Sequence, residues 1–191
     1  MDHQANPSTL PTFDEAVAFH GHACPGLAMG YRVAIAAMSR LRSGRAKDED
    51  LVAIVENDAC SVDAVQFVCG CTFGKGNLIF RDYGKQAYTF FDRTTKQGIR
   101  IYISVPERDE PDQNSAGQPA PAEERGELID RLLSLPEEDL LHITEAQEPP
   151  PSKARIHDSA RCEVCGDWIM ETRAVHENGK TLCMPCQALN S

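Results

Sequence analysis

The chain has 191 residues, a net charge of −10, 41% hydrophobic and 25% charged residues. This length permits one medium domain plus a small appendage, and the composition is ordinary for a folded soluble protein. An acidic chain with no Lys/Arg block does not suit phosphate backbones, so no nucleic acid is expected, and no apolar run approaches the roughly 20 residues of a membrane helix.

The opening residues, Met1 to Pro7, lack a basic patch followed by an apolar stretch, which predicts a cytoplasmic protein. Positions 12–105 read as one α+β domain. Thr12 with Glu15 has capping-box spacing and predicts a helix through Phe19. A second helix is expected from Gly26 to Leu41, with Leu27, Tyr31, Ala34, Ile35 and Met38 on one face. Its small residues Gly26, Gly30 and Ala34 recur every fourth position, which suits either core packing or a dimer interface. Residues 51–55 predict a buried strand, and Ser61 is expected to cap a helix carrying Val62, Val65, Gln66, Phe67 and Val68. Strand-like runs follow at 78–80, 87–91 and 99–105, the last two joined by hairpin-loop chemistry at 94–98. Helices first, then strands, predict helices packed on a mixed or antiparallel sheet.

Between positions 107 and 127 lie seven acidic residues and two Arg, with Pro111, Pro119 and Pro121. Residues 106–152 are therefore expected to be an acidic, Pro-rich linker carrying helices at 127–135 and 137–143. Pro149, Pro150 and Pro151 form a stiff spacer before a small module at 153–191.

Eight cysteines in a reducing compartment are not expected to form disulfides. Cys162-x2-Cys165 and Cys183-x2-Cys186 are two knuckles separated by seventeen residues. Two such turns complete a tetrahedral sulfur shell, so one structural zinc is expected, with Trp168, Ile169 and Leu182 as the mini-core. A segment this short needs the metal to fold, a contribution on the order of 10 kcal/mol. The knuckles resemble those of small regulators of the TraR/DksA group, and a module of this kind suits docking to a protein partner.

His20, His22 and Cys24 alternate where one helix ends and the next begins, so their side chains can converge. A thiol at a helix N-terminus beside imidazoles is either a metal ligand or a nucleophile with a base. Cys60 precedes the 61–68 helix and Cys69 and Cys71 follow it, with Asp58, Asp63, Lys75 and Asn77 nearby.

The blocks Phe19-His20-Gly21-His22-Ala23-Cys24-Pro25-Gly26-Leu27, Gly30-Tyr31-Arg32, Cys60-Ser61-Val62-Asp63-Ala64-Val65-Gln66, Gly70-Cys71-Thr72-Phe73-Gly74-Lys75-Gly76-Asn77-Leu78 and Asp82-Tyr83-Gly84-Lys85 resemble the FmdE family, named for a component of formylmethanofuran dehydrogenase. The resemblance runs from about position 13 to 105. It implies a homodimer with a metal cavity in the first domain, holding a second ion, taken as zinc. His22, Cys24, Cys60 and Cys71 are its implied ligands, with His20 beside them and Asp63, Lys75 and Asn77 lining it. Cys69 departs from the family pattern and is read as incidental.

The expected function is a zinc-binding protein with an accessory, redox or one-carbon role, associated with an oxidoreductase. Any chemistry is assigned to Cys24, with Lys75 stabilising negative charge. The competing reading is a regulatory protein whose zinc module docks a partner. Thiol redox at Cys69 and Cys71 is a third reading, disfavoured because Cys-x-Cys is not the thioredoxin-type spacing.

Overall fold

The computed structural model describes residues 10–104 and 122–189, in two compact units that divide after Lys153. The first unit begins with helix α1 (Phe13–His20), opened by the expected capping box: Glu15 N–H donates to Thr12 Oγ1 at 3.3 Å, and Thr12 N–H to Glu15 Oε2 at 2.7 Å. Gly21, at φ 97°, closes α1 in the left-handed conformation that costs glycine least and turns the chain toward helix α2 (Pro25–Leu41). Strand β1 (Leu51–Val55), helix α3 (Ser61–Cys69) and strands β2 (Leu78–Phe80), β3 (Ala87–Asp92) and β4 (Gln97–Ile103) follow.

The sheet is mixed, with order β2-β1-β3-β4 and a fifth strand, β5 (Leu141–Glu145), beside β4. β1 and β2 run parallel, because α3 lies between them in the chain, and the other pairs are antiparallel. β1 is buried on both faces. Leu51, Ala53 and Val55 join the main core with Ala28, Val33, Met38, Val65, Tyr88, Phe90 and Ile101, while Val52 and Ile54 pack with Phe91 on the opposite face.

Helices α2 and α3 cross closely at Gly30, where an added β-carbon would lie 2.2 Å from the Ser61 carbonyl oxygen. The small-residue seam of α2 is thus used within the chain, as core packing. Ser61 is the first helical residue of α3 and not its cap. Its hydroxyl is buried, donating to Asn57 Oδ1 at 3.3 Å and accepting from the Tyr88 hydroxyl at 2.6 Å.

The expected linker proves to be part of the first unit over most of its described length. Helix α4 (Ala122–Ser134) buries Ile129 and Leu132 in the main core. The Arg32 guanidinium donates to the carbonyls of Leu132 (2.7 Å), Leu133 (2.9 Å) and Leu135 (2.7 Å), supplying the donors that the end of α4 lacks. The helix expected at 137–143 is a single turn, α5 (Glu137–Leu140), and then β5. Ile143 and Thr144 are β-branched, and pairing with Ile101 and Arg100 of β4 outweighs the weak helical signal there. Nor do residues 146–152 form a free spacer. Ala146 packs on Val52, Ile54 and Phe91, Glu148 makes two 2.7 Å contacts with Arg81, and Arg93 donates to the Pro151 and Ser152 carbonyls. The expected strand end at 105 and the acidic stretch up to 121 lie outside the described residues. No helix of the described residues is long and apolar enough to cross a membrane.

The second unit contains two small hairpins, β6 (Ser159–Arg161) with β7 (Trp168–Met170) and β8 (Ala174–Glu177) with β9 (Lys180–Cys183), and a closing helix α6 (Met184–Leu189). Leu182 is buried against Cys162 and Cys186, as expected of the mini-core. Trp168 is not part of it. Strand alternation turns Trp168 and Met170 outward and Ile169 inward, leaving Trp168 72% exposed.

Candidate metal sites

In the second unit, the ligand atoms of Cys162, Cys165, Cys183 and Cys186 all lie within 4.8 Å of one another. The knuckle geometry follows from local backbone bonds. Gly166 N–H closes the first turn onto the Cys162 carbonyl at 2.9 Å, Cys183 N–H donates to Cys162 Sγ at 3.3 Å, and Cys186 N–H donates to Cys183 Sγ at 3.4 Å. The amides of Cys165 and Cys183 pull the Cys162 thiol down to about 6, whereas the neighbouring Cys183 sulfur and burial push Cys186 up to about 12. Four crowded sulfurs resist sharing negative charge unless a cation neutralises them. A zinc ion with four thiolates satisfies that need and has no open position, so it is structural.

In the first unit, a second group comprises His20, His22 and Cys24, again with ligand atoms within 4.8 Å of one another. His20 is the last residue of α1 and Cys24 is the N-cap of α2, so the three sit on the turn that Gly21 creates. Cys24 Sγ lies 3.9 Å from His20 Nε2 and accepts Leu27 N–H at 3.3 Å. The two imidazoles are 4.5 Å apart between ring centres. His20 Nδ1 contacts Asp63 Oδ2 of α3 at 2.7 Å, and Gln66 Nε2 donates to Asp63 Oδ1 at 3.2 Å. Two neutral imidazoles and a thiolate fit zinc and leave a coordination position free of protein in this set.

The other expected site residues are placed differently. Cys60, at the start of α3, is half-buried beside Cys24, and burial together with the Cys24 sulfur pushes its thiol up. It does not join the three-residue group. Cys71 follows the far end of α3, a helix of nine residues that spans roughly 13 Å at ~1.5 Å per residue. Its thiol is buried, contacts the Leu51 carbonyl at 3.5 Å, and is pushed up to about 12 by burial, which disfavours the thiolate that zinc requires. Cys69 is fully buried with its thiol pushed well up by the same cause, which also speaks against redox exchange there.

Lys75, expected to stabilise charge beside Cys24, points instead at the carbonyls of Ala46 (3.2 Å) and Asp48 (3.5 Å). Asn77 binds the Asp48 and Leu51 carbonyls and accepts Thr72 N–H. The Gly70–Asn77 block is therefore a lock between two loops. The contribution of Gln66 was not legible before the fold. Its spacing of three from Asp63 on one helix was the available signal.

A family model described as "FmdE, Molybdenum formylmethanofuran dehydrogenase operon" matches residues 19–142, and one described as "Prokaryotic dksA/traR C4-type zinc finger" matches residues 157–189. Among curated proteins, the chain is 33% identical to a "Probable S-adenosyl-L-methionine-binding protein" of Archaeoglobus fulgidus, over 96% of this chain and 55% of the relative. The chain thus spans about half the length of that relative. Among solved structures, it is similar to an FmdE-like protein of tungsten formylmethanofuran dehydrogenase type from Syntrophus aciditrophicus, with a TM-score of 0.66, 25% identity and 97% of each chain covered.

Proposed function

The chain belongs to the FmdE family, and from that premise we propose that it binds a second zinc at His20, His22 and Cys24 and serves as an accessory protein to a redox or one-carbon enzyme. The observation that carries this reading is the convergence of two imidazoles and one thiol on a single turn, in a fold that a hydrophobic core holds together without them. A zinc ion there supplies Lewis acidity to a ligand in the open position. Cys24 and the two histidines hold the ion, and Cys60 stands close enough to Cys24 to complete the shell or to meet the ligand. Elemental analysis of the full chain tests the reading. Two zinc ions per chain are expected, falling to one in His22→Ala and Cys24→Ser. A wild-type value of one that neither variant changes contradicts it.

The homodimer is a separate part of the proposal and is supported by family resemblance alone, since the Gly26/Gly30 seam is occupied within the chain. Sedimentation at equilibrium should give twice the 21.0 kDa of one chain; the mass of a single chain would refute it.

A second reading is favoured by the zinc module, where Trp168 is 72% exposed and Val164 and Met184 are also exposed. Aromatic and methionine side chains on a surface suit protein docking. If docking is the function, Trp168→Ala abolishes partner capture and leaves zinc content unchanged. The name of the Archaeoglobus relative makes S-adenosyl-L-methionine the first small molecule to titrate into the zinc-loaded chain. Calorimetric binding would add a ligand-binding role to the first unit.

A further inference from the structure

We propose that Asp63 and Gln66 are positioning residues that fix which ring nitrogen His20 presents to the His20/His22/Cys24 site. The consequence for metal rests on the zinc reading above; the geometric claim does not. A carboxylate oxygen accepts and does not donate, so the 2.7 Å contact between Asp63 Oδ2 and His20 Nδ1 places the imidazole proton on Nδ1. Nε2 is then the lone-pair nitrogen, and it is the atom that lies 3.9 Å from Cys24 Sγ. The His20 side chain is only 10% exposed, so water competes poorly for the ring.

Asp63 is itself held. Gln66, one turn further along α3, donates to Oδ1 at 3.2 Å and leaves Oδ2 for His20. The helices that carry these groups are also joined one step away, where Phe19 of α1 stacks on Phe67 of α3 at 5.2 Å between ring centres and 26° between planes. Asp63 does not join the group of potential ligands. Its place is that of the outer carboxylate that orients a metal-binding histidine, an arrangement whose loss weakens metal affinity by roughly 10–100-fold.

The test uses the full chain with 15N-labelled histidine. With the first site stripped by a mild chelator, His20 is expected to show the Nδ1–H tautomer. Asp63→Ala should shift it toward Nε2–H, and Asp63→Asn, which keeps an acceptor oxygen, should restore Nδ1–H. Titration of zinc against a chromophoric competitor should show the second equivalent weakened roughly 10–100-fold in Asp63→Ala, with most of the loss recovered in Asp63→Asn. If Asp63→Ala fails to fold, Gln66→Ala carries the same two readouts, with a smaller shift of the same sign expected. Retention of the Nδ1–H tautomer and of wild-type affinity in a folded Asp63→Ala chain would overturn the proposal. If the wild-type chain takes up no second zinc, the metal reading fails and the tautomer alone decides whether Asp63 positions His20.

Discussion

The two cysteine-bearing regions differ in what holds them together. In the second unit the described core is Leu182 with the cysteines themselves, so ligand and scaffold are the same residues. In the first unit His20, His22 and Cys24 sit on a turn between helices whose burial against a five-stranded sheet does not involve them. A closed shell of four thiolates stabilises; an incomplete shell on a core-supported turn leaves its ligands available for chemistry. The comparison teaches that cysteine count alone does not locate function, whereas the source of local stability does.

The difference should be sharpest on breaking the knuckles. Replacing Cys162 and Cys183 with Ser removes a metal contribution on the order of 10 kcal/mol. Amide NMR signals from residues 154–189 should collapse to unfolded positions, with those of residues 10–104 retained. Next in size is Gly30→Ala. The new methyl meets backbone at Ser61, which cannot move aside cheaply, and overpacking of this kind costs about 1–3 kcal/mol or more. The urea midpoint of the first unit should fall, and zinc at His20, His22 and Cys24 should weaken as α2 and α3 are forced apart, with the knuckle zinc unaffected. Arg32→Leu deprives three carbonyls at and after the end of α4 of their donor, at about 1–3 kcal/mol, read in the same urea midpoint. Smallest in stability is His22→Ala. Its exposed ring should change the midpoint by less than about 0.5 kcal/mol, although zinc content drops by one ion. A large loss of stability there would mean that the first site, too, is a folding device.

Much of this contrast was legible in the sequence because it is local. Knuckle spacing, the capping box at Thr12 and the alternation of His20, His22 and Cys24 each depend on a few consecutive residues. The strands at 51–55 and 78–80 were equally readable from their apolar runs. What escaped depends on distant partners. Leu141 to Glu145 is a strand because β4 offers an edge, and α4 is part of the core because Arg32, about a hundred positions earlier, binds its final carbonyls. Family resemblance placed Cys71 and Lys75 beside Cys24, but nothing in their spacing shows that α3 separates them. Trp168 was assigned to a core on hydrophobicity, when strand parity decides its direction.

The most direct test of two metal sites with different duties is chelator-driven zinc release from the intact chain, followed together with the NMR signals of residues 154–189. Two equivalents should leave in separate phases. The first should depart under mild chelation with both units still folded, and the second only as the signals of residues 154–189 collapse. Release of a single equivalent, coincident with that collapse, would show that the His20/His22/Cys24 turn holds no metal and would contradict the account.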